Sequence, residues 1–327
     1  MEAAIQLDNL QKTFVLTRWR RFRRVRTEVL AVAGITLDVP AGQAVAIIGP
    51  NGAGKSTTIK MLTGIVHPSG GHARVRGMVP WLERRRLAGR IGAVFGQRSQ
   101  LWYHLPPRET FELLARIYGL DRERYRRMRD ELVDRFALGA FLDRPVRKLS
   151  LGQRMRAEVA ASLLHEPEVL FLDEPTIGLD AVARQELRAV VREWNRERGV
   201  TLLLTSHDAG DIEHVAKRAL VIHQGRVVLD DSVASLRRRY LGSKVLRVRF
   251  HEPPAPFHLA GITVVKSAGS ALKLHVDTRV VAIERVMTAV LKSGPVADIA
   301  IEDPPLDEVI AHIYTRPPPT AEDGAPA

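Results

Sequence analysis

The sequence predicts an α/β protein built on a largely parallel sheet, followed by a smaller α+β unit. Three observations predict it. Short apolar runs at 44–48, 169–172, 200–204 and 219–222 alternate with stretches of helical spacing, the pattern of strands buried on both faces and separated by helices. A glycine-rich turn, Gly49 to Gly54, parts the first run from a helical stretch. The composition shifts near residue 241, where a second set of alternating segments begins. With 327 residues, 45% of them hydrophobic and 26% charged, the chain has material for two or three folded domains, and wholesale disorder is excluded.

In chain order, residues 1–15 read as an edge strand and turn, with Ile5, Leu7 and Phe14 on an alternating pattern. The stretch 17–28 is basic: Arg18, Arg20, Arg21, Arg23, Arg24 and Arg26 interleave with Trp19, Phe22 and Val25, a composition that suggests an interfacial helix. Residues 29–39 read as a second strand ended by Pro40, Ala41 and Gly42, and Ala44 to Ile48 as a buried strand. Helical spacing runs from about 107 to 165 through Phe111, Leu114, Ala115 and Tyr118. Residues 167–240 alternate buried strands with helical spacers. Beyond them, 245–250 alternate and Pro253, Pro254 and Pro256 make a linker. Strands are expected at 262–266, 272–276 and 296–301, and helices at 279–292 and 305–314. The expected division is 1–240, with a helical part at 98–165, then 241–315, then a proline-rich disordered tail at 316–327.

The sequence has no cysteine, which excludes disulfide scaffolds, Cys-ligated zinc and thiol catalysis. The N-terminus carries no secretory signal pattern and no apolar run approaches the ~18–20 residues of a membrane span, so a soluble or membrane-peripheral chain is expected. The net charge is +12, carried by 40 Arg and 9 Lys. It fits solvated arginine-rich faces or an anionic partner, either nucleic acid or a membrane surface. His67, His72 and His104 show no metal-ligand spacing.

Two motifs carry the chemistry. Gly49, Pro50, Asn51, Gly52, Ala53, Gly54, Lys55, Ser56 and Thr57 match G-x-x-x-x-G-K-[ST] between an apolar strand and a helix. In that context backbone N–H groups turn toward phosphate oxygens, the helix start adds positive charge, Lys55 meets the β- and γ-phosphates and Ser56 offers a hydroxyl to Mg²⁺. The apolar run Val169 to Leu172 ends in Asp173 and Glu174. At the C-terminal end of a parallel strand, Asp173 reaches the Mg²⁺ shell and Glu174 stands where a general base for water belongs.

With these motifs, the chain resembles the ABC ATPases. Leu149-Ser150-Leu151-Gly152-Gln153 resembles the signature usually written LSGGQ, Gln97 the Q-loop, Gly178-Leu179-Asp180 the D-loop, and His207 after Leu202 to Ser206 the switch histidine. The resemblance covers roughly residues 3–240. Phe95-Gly96-Gln97, Leu149 to Arg156 and Pro175 to Gly178 are similar to exporter cassettes of the viologen and drug-efflux type that pair with small six-helix permeases. It implies a P-loop NTPase cassette with a mainly parallel core, an antiparallel β-subdomain and a helical subdomain, followed by a small accessory or regulatory α+β domain.

The resemblance further implies ATP and Mg²⁺ as ligands, with Ser56, Gln97 and Asp173 at the metal and Glu174, His207 and Gln97 in hydrolysis. Ser150, Gly152, Gln153 and Asp180 would complete a nucleotide site across a homodimer or heterodimer. Phe14 would stack on adenine, with Trp19 as its competitor. A separate integral membrane permease, a place on the cytoplasmic face of the membrane, and contact of 17–28 with the permease or anionic headgroups complete the expectation; nucleic acid is not an expected partner. Leu151 departs from the usual glycine. The rival reading is a soluble ABC ATPase acting on ribosomes or nucleic acid. Against it stand a single P-loop and only 95 residues between Lys55 and Ser150, with no sustained heptads.

Overall fold

The computed structural model describes residues 3–20, 23–96, 99–240 and 243–302. The chain divides into two compact units, Met1–Asp231 and Ser232–Ala327.

The first unit opens with a long antiparallel hairpin, β1 (Ala3–Arg20) and β2 (Arg23–Pro40). β3 (Ala44–Ile48), α1 (Lys55–Leu62), β4 (Gly70–Val75), α2 (Arg84–Ala88) and β5 (Ile91–Phe95) follow. Next come α3 (Pro107–Ile117), α4 (Arg122–Arg135), a 3₁₀ turn at Val146–Lys148, and α5 (Leu151–Leu163). β6 (Val169–Asp173), α6 (Ala181–Arg198), β7 (Thr201–Ser206), α7 (Ala209–Val215), β8 (Arg218–His223) and β9 (Arg226–Ser232) close it. The central sheet has the order β5-β6-β7-β3-β8-β9, and the pairs from β5 through β8 are parallel. A second, three-stranded sheet has the order β2-β1-β4.

β3, β6 and β7 are buried throughout, which is why they read as largely apolar runs. Their side chains alternate between two cores. Leu170, Leu172, Leu202 and Leu204 enter the core formed with α3 to α6, through Phe111, Leu132, Ala160 and Leu187. Val169, Phe171, Leu203 and Val45 enter the opposite core, with Ile59 and Leu62 of α1 and Ile5, Leu7 and Ile35 of the antiparallel sheet. β4 begins Gly70-Gly71-His72 and offers no apolar run, so its pairing with β1 is what reveals it.

The basic stretch 17–28 is not a helix. Its described residues continue the hairpin in register, with Leu16 opposite Thr27, Thr17 opposite Arg26, Arg18 opposite Val25 and Arg20 opposite Arg23. Thr17, Trp19, Val25 and Thr27 favour extended backbone, and each added pair extends a ladder already nucleated. A twelve-residue helix would have had to nucleate alone at marginal length.

The second unit contains α8 (Val233–Tyr240), β10 (Ser243–Phe250), β11 (Ile262–Ala268), β12 (Ala271–Asp277), α9 (Ile283–Ser293) and β13 (Val296–Glu302). Its antiparallel sheet has the order β11-β12-β10-β13. Leu246, Val248, Leu274 and Val276 of the sheet pack with Val286 and Val290 of α9. α9 starts four residues later than the spacing suggests. Asp277 accepts hydrogen bonds from the Arg279 backbone N–H at 3.0 Å and from its guanidinium at 2.8–2.9 Å, holding a turn there. The expected helix at 305–314 and the tail at 316–327 lie outside the described residues.

Candidate functional site

The strand order brings four segments to one edge of the parallel sheet. Ile48 pairs with Ser206, Asp173 with Thr205, and Phe95 with Asp173. The glycine-rich turn, the Asp173-Glu174 pair, the Ser206-His207 segment and Gly96 therefore all leave the sheet at its C-terminal end, where open α/β sheets bind ligands.

The turn is shaped by close backbone approach. A Cβ on Gly49 would lie 2.5 Å from the Ile222 carbonyl oxygen, and one on Gly54, at φ +103°, would lie 2.4 Å from that of Ala31. Gly54 caps α1 without a side-chain bond, which leaves the first N–H groups of the helix for an anion. Asn51 and Gly52 are exposed, and Ala53 is buried against the core. Thr57 lies partly buried in the first turn of α1. Gly225, in the φ-positive two-residue turn Gln224-Gly225 between β8 and β9, braces the loop: its N–H donates to Ala53 O at 3.1 Å and its carbonyl accepts from Ala33 N at 2.8 Å.

Lys55 is buried, and its Nζ donates to Gly49 O at 2.7 Å and lies 3.3 Å from Glu174 Oε1. Ser56 Oγ donates to Asp173 Oδ1 at 2.9 Å. Thr205 Oγ1 donates to the same carboxylate oxygen at 2.6 Å and accepts from Glu174 N at 3.1 Å. Glu174 adopts φ +51°, a conformation costly for a residue with a Cβ and often found at functional sites. Its Oε2 lies 3.6 Å from Nδ1 of the half-exposed His207. A cation, a hydroxyl, two carboxylates and an imidazole thus converge on one edge.

The oxygen donors suit a hard cation. Among the described residues no group of three His, Cys, Asp or Glu side chains has metal-binding geometry. Ser56 and Asp173, already in mutual contact, match the sparse protein donor set with which Mg²⁺ joins phosphate oxygens.

Gln97 lies outside the described residues. Just after it, Ser99 O–H and Gln100 N–H donate to Glu158 on α5, the latter at 2.9 Å. Burial pushes the Glu158 carboxyl up from its ordinary value, against the pull of these bonds. Phe14 is partly buried, opposite Val29, with Lys12 Nζ 5.0 Å from its ring centroid. The backbone of Trp19 lies in β1; its side chain is outside those described.

The polar partners of Lys55 are Gly49, Pro50 and Glu174, and Ser150, Gly152 and Gln153 are not among them. Ser150 caps α5, accepting from Gln153 N at 3.2 Å while Gln153 Oε1 accepts from Ser150 N at 3.0 Å, a reciprocal capping box. Asp180 likewise caps α6, accepting from Ala183 N at 2.9 Å. Leu151 packs partly buried against the helical core, and its Cδ2 stands 2.9 Å from where a Cβ on Gly178 would lie.

Sequence reasoning missed Thr205, which joins Asp173 to Glu174, and Asp211. The Asp211 carboxylate is fully buried, accepting from Thr176 Oγ1 at 2.5 Å, Ser206 Oγ at 2.6 Å and Arg188 Nε at 2.6 Å. Asp208 accepts from Arg184 at 2.6 Å and Arg188 at 2.9 Å. Burial pushes the Asp208 carboxyl upward, but the bonds from Arg184 and Gly210 N–H and the charge of Arg188 outweigh it and hold it below its usual value. Thr205 ends an apolar run, a weak signal; an acid in the first turn of a helix ordinarily faces solvent, so Asp211 gave none.

A family model described as ABC transporter matches residues 32–177. The chain is 41% identical over 222 residues to the daunorubicin/doxorubicin resistance ATP-binding protein of Streptomyces peucetius, covering 68% of this chain and 66% of that protein. It is 36% identical over 289 residues to a daunorubicin resistance ATP-binding protein of Streptomyces coeruleorubidus, covering 86% of this chain and 90% of that protein. Among solved structures, a dimeric ATP-binding cassette in a post-hydrolysis state bound to ADP and Pi is similar, with a TM-score of 0.61 and 25% identity over 70% of this chain and 98% of that one.

Proposed function

The chain belongs to the ABC transporter ATP-binding family, a family of ATPases, and from that premise we propose that it powers an exporter by binding and hydrolysing ATP between two cassettes. The observation that carries the reading is the convergence of Lys55, Ser56, Asp173, Glu174 and His207 at one sheet edge. In this reading the turn Gly49 to Gly54 and the start of α1 cradle the phosphates, with Asn51, Gly52, Ala53 and Thr57 around them, and Lys55 neutralises the β- and γ-phosphate oxygens. Ser56, Asp173 and Gln97 would hold Mg²⁺, which would supply further charge neutralisation there. Phe14 supports the adenine ring.

Glu174 takes a proton from water as the water oxygen bonds to the γ-phosphorus and the bond to ADP breaks. His207 orients the γ-phosphate beside it. Thr205 links the two acidic residues, donating to the Asp173 carboxylate and accepting from the backbone N–H of Glu174.

Ser150 is spent on capping α5 and is not among the polar partners of Lys55, which supports a site completed by a second chain. Ser150, Gly152, Gln153 and Asp180 of one cassette would meet the γ-phosphate on the other, in a homodimer or a heterodimer with a close relative. The motor would drive a separate integral membrane permease from the cytoplasmic face. The relatives named for daunorubicin resistance support export and leave the ribosome or nucleic-acid reading the weaker one. No described helix is long and apolar enough to cross a membrane. The stretch 17–28 would contact the permease or anionic headgroups. The second unit is read as an accessory domain bounded near 241–315; the match to the S. coeruleorubidus protein reaches beyond Met1–Asp231, which supports a shared accessory part.

Nucleotide affinity tests the phosphate site. Lys55→Ala removes its main cation and should abolish most ATP binding. Near-normal affinity would mean that the site is misassigned.

A further inference from the structure

We propose that Asp211 is a positioning residue for ATP hydrolysis, a buried carboxylate that ties the turn carrying Glu174 to the segment carrying His207. The proposal rests on the reading of Glu174 and His207 given above.

Thr176 lies two residues after Glu174, in a turn closed by Ile177 N–H to Glu174 O at 3.3 Å and Leu179 N–H to Thr176 O at 3.2 Å. Ser206 directly precedes His207, and its Oγ accepts from Asp208 N at 2.9 Å, so the hydroxyl sets the path of the backbone through His207. Both hydroxyls donate to the same Oδ2 of Asp211, at 2.5 and 2.6 Å. The other oxygen accepts from Arg188 at 2.6 Å. Arg188 reaches on to Asp208 at 2.9 Å, and Arg184, one turn earlier on the helix that Asp180 caps, reaches Asp208 at 2.6 Å. One carboxylate therefore joins the segments bearing Glu174 and His207 to the helix bearing Asp180.

A buried carboxylate is costly unless it is paired and hydrogen-bonded, and here it accepts three short bonds. Their geometry fixes where the two ends stand. The Glu174–His207 separation of 3.6 Å is the quantity so controlled. Gly210 makes room: a Cβ there would lie 2.6 Å from Nη1 of the Arg188 guanidinium, whose Nε and Nη2 these bonds hold.

The test uses the full-length protein and steady-state Mg-ATP hydrolysis. Ser206→Ala and Asp211→Ala should each lower kcat by about 10- to 100-fold, since misplacing a catalytic group by ~1 Å costs of that order, with KM changed by no more than about threefold. In a His207→Ala background Ser206→Ala should produce almost no further loss, because that hydroxyl acts through His207, whereas Asp211→Ala keeps only the part of its loss that runs through the Glu174 turn. Wild-type kcat in the Ser206 and Asp211 variants, beside a His207→Ala protein that has lost turnover, would overturn the proposal and leave the site reading intact. A Ser206→Ala loss that adds in full to that of His207→Ala would also overturn it, since a general structural defect behaves so. A His207→Ala protein with wild-type turnover would remove both. If Asp211→Ala does not fold, Ser206→Ala decides alone, because it deletes one hydroxyl and no charge.

Discussion

In the proposed mechanism, Glu174 is the residue on which the chemistry turns. It sits in strained backbone at φ +51° between Lys55 and His207, with Thr205 on its own N–H. Glu174→Gln keeps the shape and removes the proton acceptor. Turnover should fall by about 10²–10⁴-fold, roughly 3–5 kcal/mol of barrier, while nucleotide affinity stays near that of the natural chain. A steady-state ATPase assay beside a nucleotide titration checks both halves, and a variant that still hydrolyses at the natural rate would remove Glu174 from the reaction. Lys55, Ser56, Asp173, Glu174 and His207 were all legible, because each follows a strand whose apolar run fixes its place. Thr205 and Asp211 were not. Their roles come from hydrogen bonds across 32 and 35 residues of chain, to Asp173 and Thr176, and sequence spacing does not encode such partners.

Among the elements, β3, β6 and β7 were legible because burial on both faces leaves them largely apolar. β4 and the extended hairpin were not, since their pairing depends on partners distant in sequence or on a ladder already formed. The hairpin exposes Val15, Leu16, Val29 and Leu30 beside the exposed Arg24 and Arg26. Near an anionic surface each basic residue is worth about 1 kcal/mol at most, screened by salt. Replacing the six arginines of 17–28 by Gln should weaken sedimentation with anionic vesicles and leave neutral vesicles unaffected. Unchanged sedimentation and unchanged assembly with membrane subunits would make the segment a solvated hairpin.

The end of α5 carries a pH sensitivity of its own. His165 stacks on Tyr118 at 3.9 Å, and its Nε2 donates to Ile91 O at 2.9 Å. Burial holds its imidazole at about 4, below the ordinary 6.5. The unfolded chain therefore takes up the proton first as pH falls. Stability from this group is complete above about 6.5 and lost progressively toward 4, in total on the order of 3 kcal/mol. The melting temperature should drop across that window, and His165→Phe should flatten the drop. An equal drop in the variant would place the sensitivity elsewhere.

At the scale of the molecule, the division at Asp231 separates the nucleotide-binding edge from a sheet-and-helix unit with its own core. Ending the chain near 240 should leave ATP affinity intact and weaken dimerisation or coupling to the permease, read by nucleotide titration and light scattering. Loss of ATP affinity would contradict an accessory role. In the proposed dimer, Ser150 completes a site begun by Lys55 on another chain. This is tested most directly by the mass of the full-length Glu174→Gln protein in solution, with and without Mg-ATP. The expected result is a monomer without nucleotide and a dimer that persists with Mg-ATP, lost again when Ser150 is changed to Phe. A mass that does not respond to Mg-ATP, or a dimer indifferent to Ser150, would contradict it.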